Sequence, residues 1–260
     1  MSFRKWTTAR RFVQLLMIAL LSSPLAGLAI FSGNLAAAEL IGIPLADPLA
    51  FLQVLFGAKV LVWSYLGSAL LVTVFYFLLG GRSFCGWVCP VGFVTELADK
   101  LRPRLVLYSK TFDLSLNRWM LAITLLVVLL TSVPLFEVIS PIGIVGRAVA
   151  FTAIWPMLLV VAILLVELLA ARRVWCRSLC PLGGYYALIG RFSPVRVGFV
   201  KERCTHCNEC INVCPVEEVL APSLEEGARQ VVAGDCTRCM ACLDACPEKA
   251  LEVNCRLRIN

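Results

Sequence analysis

Histidine is almost missing from this chain: a single residue, His206, in 260. A heme held by two histidines is therefore excluded within the chain. Charge is scarce too, at 16% of residues, against about 25% in an ordinary soluble domain. What replaces it is apolar. Hydrophobic residues make up 60% of the sequence and mean hydropathy is +0.84, well beyond the usual composition of about 45–50% apolar residues. The excess is gathered in long runs, which points to lipid as the solvent for much of the chain. The 24 basic residues outnumber the 17 acidic ones. They form no helical or aromatic-interleaved patch, however, and this excludes a nucleic-acid role. They flank the apolar runs, where basic residues set membrane topology.

A helix needs about 20 apolar residues to cross the hydrocarbon core. Four runs reach that length: Phe12–Phe31, Val60–Leu79, Trp119–Ile139 and Val149–Ala171. Pro24, Pro134 and Pro156 lie inside them and predict kinks rather than breaks. The stretch Leu40–Gly57 is interrupted by Pro44, Asp47 and Pro48, and reads as a surface-lying or re-entrant segment. Arg4, Lys5, Arg10 and Arg11 precede the first run, six basic residues from Arg82 to Arg118 separate the second and third, and Arg172, Arg173, Arg177, Arg191 and Arg196 follow the fourth. The other two connections offer only Lys59 and Arg147. Both termini and the middle loop are thus expected on the cytoplasmic side of a bacterial inner membrane crossed several times. The first run is longer than the apolar core of a cleaved signal and reads as an uncleaved anchor. The expected fold is an all-α transmembrane four-helix domain over 1–192, followed by a small α+β two-cluster ferredoxin-like domain over 193–260.

Cysteine is the other abundance. Twelve of the thirteen fall into four compact motifs, which suits metal ligation by reduced thiolates better than a disulfide framework. Cys204-x2-Cys207-x2-Cys210-x3-Cys214-Pro215 is followed by Cys236-x2-Cys239-x2-Cys242-x3-Cys246-Pro247. This is the bacterial ferredoxin run, in which the fourth cysteine serves the other cluster. The expectation is two [4Fe–4S] clusters: one on Cys204, Cys207, Cys210 and Cys246, the other on Cys236, Cys239, Cys242 and Cys214. Zinc, usually held by two separated cysteine pairs, fits two such runs poorly. His206 reads as a loop residue of the first run and Cys255 as a free thiol.

Two further pairs end apolar runs: Cys85-x3-Cys89-Pro90 and Cys176-x3-Cys180-Pro181, each with an aromatic before the first cysteine. The chain reads as two related halves. A spacing of four puts both sulfurs on one face of a helix, so Cys85, Cys89, Cys176 and Cys180 are candidates for a third cluster or metal site. Reduced cysteines in structural turns, or a redox-active dithiol, remain the alternative.

With these motifs in place, the chain resembles the NapH family of membrane ferredoxin-type proteins, with MauN-type and NosR-type proteins as relatives. The segments PLADPLAFLQ, FCGWVCP, ISPIGIVGR and WCRSLCPLGGYYALIGRFSPVRV carry the resemblance together with the two cysteine runs. The resemblance implies an electron-transfer subunit of a quinol dehydrogenase, an oxidoreductase component rather than a stand-alone enzyme. It would pass electrons from membrane quinol to a NapG-like periplasmic ferredoxin and other Nap components, toward nitrate reductase. It leaves a puzzle, because the clusters are expected inside and the reductase acts outside. Ionisable residues within apolar spans are functional candidates. Glu137 and Glu167 are both such candidates, with headgroup water or an arginine as the plainer role for each, and Glu137 is the candidate proton acceptor for quinol. Two other roles stay open: a redox maturation factor for a periplasmic metalloenzyme, and a membrane scaffold that docks a ferredoxin.

Overall fold

The structure, a computed structural model, describes residues 5–21, 31–33, 37–40, 43–102, 112–141, 143–144, 157–169 and 172–255. They divide into two compact units. The first comprises Met1–Leu15, Phe75–Cys89 and Tyr186–Asn260; the second comprises Leu16–Val74 and Pro90–Tyr185.

The second unit opens on a three-stranded antiparallel sheet, β1 (Phe31–Gly33), β2 (Ala37–Leu40) and β3 (Ile43–Ala46), in the order β1-β2-β3. Strand β2 sets Ser32 opposite Glu39 and Ala38 opposite Leu45. Within the interrupted stretch Leu40–Gly57, Ile43–Ala46 form a strand and a helix begins at Pro48. Asp47 caps helix α2 (Pro48–Ala58), accepting a bond from the Ala50 N–H at 3.3 Å, and Pro48 takes the first helical position. Both residue types suit those places: a carboxylate satisfies an orphan N–H, and proline has no N–H to waste. Helix α2 lies against α6 (Leu116–Thr131), where a Cβ on Gly57 would stand 3.3 Å from Val128 Cγ1. Buried Gln53 accepts from the Phe136 N–H at 2.9 Å and ties α2 to the short helix α7 (Leu135–Ile139). Helices α5 (Pro90–Leu101) and α8 (Met157–Leu169) also belong to this unit, as does the start of α3 (Trp63–Leu79). Asp99 at the end of α5 receives Arg172 Nε at 2.9 Å and Arg173 Nε at 3.2 Å.

The first unit joins the start of α1 (Lys5–Leu21) to α4 (Ser83–Trp87), the end of α9 (Pro181–Gly190) and the cysteine-rich tail. The tail's frame is a two-stranded ribbon, β4 (Val195–Phe199) against β5 (Leu251–Cys255), in a register that pairs Val195 with Cys255 and Phe199 with Leu251. Between the strands lie three short helices, α10 (Glu209–Asn212), α11 (Ala221–Leu224) and α12 (Ala241–Ala245). Tyr76, Phe84 and Tyr186 form an aromatic core, with ring centroids 5.3–5.4 Å apart. Thr7 donates through its N–H and its hydroxyl to Asp244 of α12, each at 2.7 Å, so the start of α1 is stitched to the tail.

The expectation of a transmembrane four-helix domain is corrected here. Among the described residues, no helix is long and apolar enough to cross a membrane. The four apolar runs correspond to α1, α3, α6 and α8, with 17, 17, 16 and 13 residues. At about 1.5 Å per residue, even the longest reaches only about 25 Å, short of the hydrocarbon core of about 30 Å. The stops are visible. Gly80 and Gly81 turn to positive φ after α3, and Ser132 adopts φ 57° after α6. Pro134 does not kink a continuous helix; it stands between α6 and α7. Pro24 and Pro156, with residues 22–30 of the first run and 149–156 and 170–171 of the fourth, lie outside the described residues.

Candidate iron–sulfur site

Each ferredoxin run begins as a tight loop. In the first, His206 and Asn208 adopt φ of 53° and 60°; in the second, the equivalent Arg238 and Met240 adopt 45° and 56°. Left-handed backbone at alternate residues curls each loop, with Cys207 between the two such residues of the first run and Cys239 between those of the second. Helix α10 then carries Cys210 and α12 carries Cys242, and each run ends at a cysteine beyond its helix. Among the described residues no two cysteines are joined in a disulfide.

Two cavities follow from this. Cys236, Cys239, Cys242 and Cys214 line one. Cys204, Cys207, Cys210 and Cys246 line the other. Each takes three cysteines from one run and the last from its partner. Burial pushes the Cys242 thiol well above its usual range, and its neighbours Cys239, Cys236 and Cys214 push it further. Cys210 is raised by burial too, with Cys246 and Cys204 adding to it. Four crowded thiols cannot ionise together unaided. They form a donor set whose charge calls for a cationic centre, and the soft sulfur donors suit iron. No group of three or more His, Cys, Asp or Glu residues among those described closes around a single metal ion. A multi-iron cluster needs its ligands spread more widely. Around the sulfurs, Cys246 Sγ accepts the Ala250 N–H at 3.3 Å, while Cys214 Sγ approaches the Val216 carbonyl at 3.1 Å.

The second pair of motifs shares one local geometry. The Cys89 N–H donates to the Phe84 carbonyl at 3.0 Å and the Cys180 N–H to the Trp175 carbonyl at 2.8 Å. Both bonds span five residues, the wide π-type turn that recurs at functional sites, and Trp175–Leu179 is a π-helix outright. In each, the aromatic supplies the acceptor and the proline after the second cysteine starts the next helix, Pro90 for α5 and Pro181 for α9. Cys85 and Cys89 belong to the first unit, Cys176 and Cys180 to the second. The first pair is built against the second ferredoxin run: a Cβ on Gly86 would stand 2.9 Å from the Thr237 carbonyl oxygen and 3.5 Å from Cys239 Cβ. Gln14 Nε2 donates to the Gly86 carbonyl at 2.9 Å. Cys176 Sγ stands 3.7 Å from the Thr95 hydroxyl.

Of the carboxylates, Glu167 is buried and structural. Its Oε1 accepts the Trp175 N–H at 3.2 Å and so anchors the wide turn that carries Cys176. Glu137 is half-buried in the first turn of α7. Its charge acts on Asp47, which burial first and Glu137 second raise to about 7. Both carboxylates act on Tyr65, whose hydroxyl burial already pushes up. Asp47 is the member of this group that sequence reading passed over as a mere helix breaker. Its Asp-Pro context was the signal for a helix start.

Comparison with known proteins shows the family. The family described as "4Fe-4S binding domain" matches twice, over residues 61–107 and 152–199, each match containing one C-x3-C-P pair. The "4Fe-4S dicluster domain" family matches residues 196–247. The methylamine utilization ferredoxin-type protein MauN of Paracoccus denitrificans is 40% identical over 99% of this chain and 93% of its own length. The ferredoxin-type protein NapH of Escherichia coli is 34% identical over 85% of this chain and 79% of its own. The regulatory protein NosR of Stutzerimonas stutzeri is 29% identical over 67% of this chain but only 23% of its own length. No solved structure matches.

Proposed function

The chain belongs to the family of MauN and NapH ferredoxin-type proteins and has their iron–sulfur electron-transfer role; on that premise we propose that it oxidises quinol at the bacterial inner membrane and relays the electrons singly to a partner ferredoxin. The observation that carries this reading is the pair of four-cysteine cavities with exchanged fourth ligands. In it, Cys204, Cys207, Cys210 and Cys246 hold one [4Fe–4S] cluster, and Cys236, Cys239, Cys242 and Cys214 hold the other. Such clusters, when bound, supply one-electron acceptance over a wide range of potentials.

Quinol oxidation releases two protons with its two electrons, so bases must stand beside the ring. Glu137 and Asp47 are that pair in this reading, and an acceptor near neutral pH is well matched to the task. The NapH relatives support a Nap system context; the receiving partner in this reading is a NapG-like ferredoxin. The apolar side chains exposed along α3, α6 and α8, among them Leu70, Trp119, Leu130 and Leu158, support a lipid setting.

The test is anaerobic EPR with iron analysis on the purified full chain, titrated with a reduced quinol analogue. Two clusters that quinol reduces are the expected result. Clusters that only a strong chemical reductant reaches would overturn the quinol role. In the same assay, Glu137→Gln and Asp47→Asn are each expected to slow quinol-dependent reduction by roughly a hundredfold without loss of iron. Unchanged rates would remove the two carboxylates from the site.

A second reading concerns the pathway served. Both the identity and the coverage are greater for the Paracoccus MauN than for the Escherichia NapH, which favours methylamine utilization over nitrate respiration. A deletion strain that loses growth on methylamine but keeps nitrate respiration would decide for it.

A further inference from the structure

Positions 206 and 238 are equivalent: each is the third residue of a ferredoxin run, and each has left-handed backbone, at φ 53° and 45°. The likeness ends at the side chain. His206 is exposed, whereas Arg238 is 2% exposed and among the largest fully buried side chains of the chain.

The slot that holds Arg238 is built for it. A Cβ on Gly80 would stand 2.7 Å from Arg238 Cδ, and one on Gly190 would stand 3.3 Å from its Nη1. Trp87 Nε1 donates to the carbonyl of Arg238 itself at 2.8 Å. The guanidinium spends its donors on backbone: Nη1 to the Cys236 carbonyl at 2.9 Å, Nη2 to the Gly190 carbonyl at 2.9 Å, and Nε to the Val195 carbonyl at 3.4 Å. Among the described residues it forms no ion pair with a carboxylate. Behind it, Arg82 pairs with Asp235 at 3.1 Å, with side chains 1% and 4% exposed. Asp235 immediately precedes Cys236.

A guanidinium stays charged even in a dry interior, and a charge buried without a counter-ion is costly. Carbonyl dipoles answer part of that cost. An anionic centre in the adjoining cavity, which Arg238 itself lines, would answer the rest. A four-thiolate cluster is such a centre, and it becomes more negative by one electron on reduction. A fixed positive charge beside it therefore favours the reduced state.

We propose that Arg238 is a built-in charge that raises the reduction potential of the cluster on Cys236, Cys239, Cys242 and Cys214, and that it is the main device distinguishing this cluster from its twin. The Arg82–Asp235 pair acts in the same direction through its cation and in the opposite direction through its anion. The proposal rests on the two-cluster reading above.

The experiment is an EPR-monitored potentiometric titration of the full chain, alongside iron analysis. Arg238→Gln is expected to shift the reduction equilibrium of this cluster at least tenfold toward the oxidised form, equivalent to 59 mV for one electron. The twin should shift less than twofold, and Arg238→Lys should restore much of the effect. Asp235→Asn should move the same cluster the other way, toward the reduced form, which no merely structural role predicts. Equal shifts in both clusters, an unshifted potential, or a fall in Asp235→Asn would overturn the proposal. If Arg238→Gln fails to take up iron at this cluster, Asp235→Asn alone decides. Wild-type protein with fewer than two clusters would instead overturn the two-cluster reading.

Discussion

At Asp47, helix capping and burial act on the same carboxyl group. The cap bond to the Ala50 N–H favours the charged form, but burial and Glu137 outweigh it and raise the group from 3.8 to about 7. An acid raised on folding binds its proton more tightly in the native state. Its contribution to stability is full below 3.8 and is lost as pH rises through about 7. The loss is bounded at about 4 kcal/mol, less what solvent returns to a part-exposed group. Asn caps helices about as well as Asp. Asp47→Asn should therefore lose less stability across that window than the parent does, the remainder coming from Glu167, which burial also raises to about 7. Parallel pH profiles for the two proteins would refute this. Other single residues also do more than their sequence positions suggest. Arg82, Arg172 and Arg173 flank apolar runs as topology signals would, yet all three form ion pairs.

The cysteine motifs were the most legible elements, because ligand spacing is local and each run folds as its own loop. The fourth cysteines, Cys214 and Cys246, each line the cavity of the other run. Cys214→Ser should accordingly cost the cluster of the second run and Cys246→Ser that of the first, each halving the iron content; EPR of the two variants shows which cluster survives. The sheet β1-β2-β3 was not legible, because three- and four-residue strands in an apolar stretch have no periodicity of their own. Arg238 was hidden for a different reason: its burial depends on Gly80 and Gly190, far away in sequence. Gly81 shows the same non-local dependence. It has φ +64°, and a Cβ there would come within 2.4 Å of both Gly190 Cα and the Tyr186 carbonyl oxygen. Backbone cannot give way as a side chain can, so Gly81→Ala should lower stability by about 3 kcal/mol or more. Thermal unfolding followed by loss of the iron–sulfur absorbance would measure it.

For the molecule as a whole, composition and helix length give different answers, and surface exposure bears on both. Composition alone predicted spans, but the described helices are too short for that. Their apolar side chains are nonetheless not hidden in a core: Trp63 and Leu130 are each 75% exposed, Phe12 68% and Trp119 65%. Soluble monomers rarely show extended apolar surface without something to cover it. If lipid covers these side chains, as the inner-membrane proposal requires, apolar contact rather than charge holds the chain to the bilayer. High salt screens charges within a few ångströms at molar strength but leaves apolar contact intact. The chain should then stay with the membrane fraction through a high-salt wash and come off in mild detergent with its iron retained. Release by salt alone would mean that the basic residues hold it there, and the exposed apolar helices would need a protein partner to cover them.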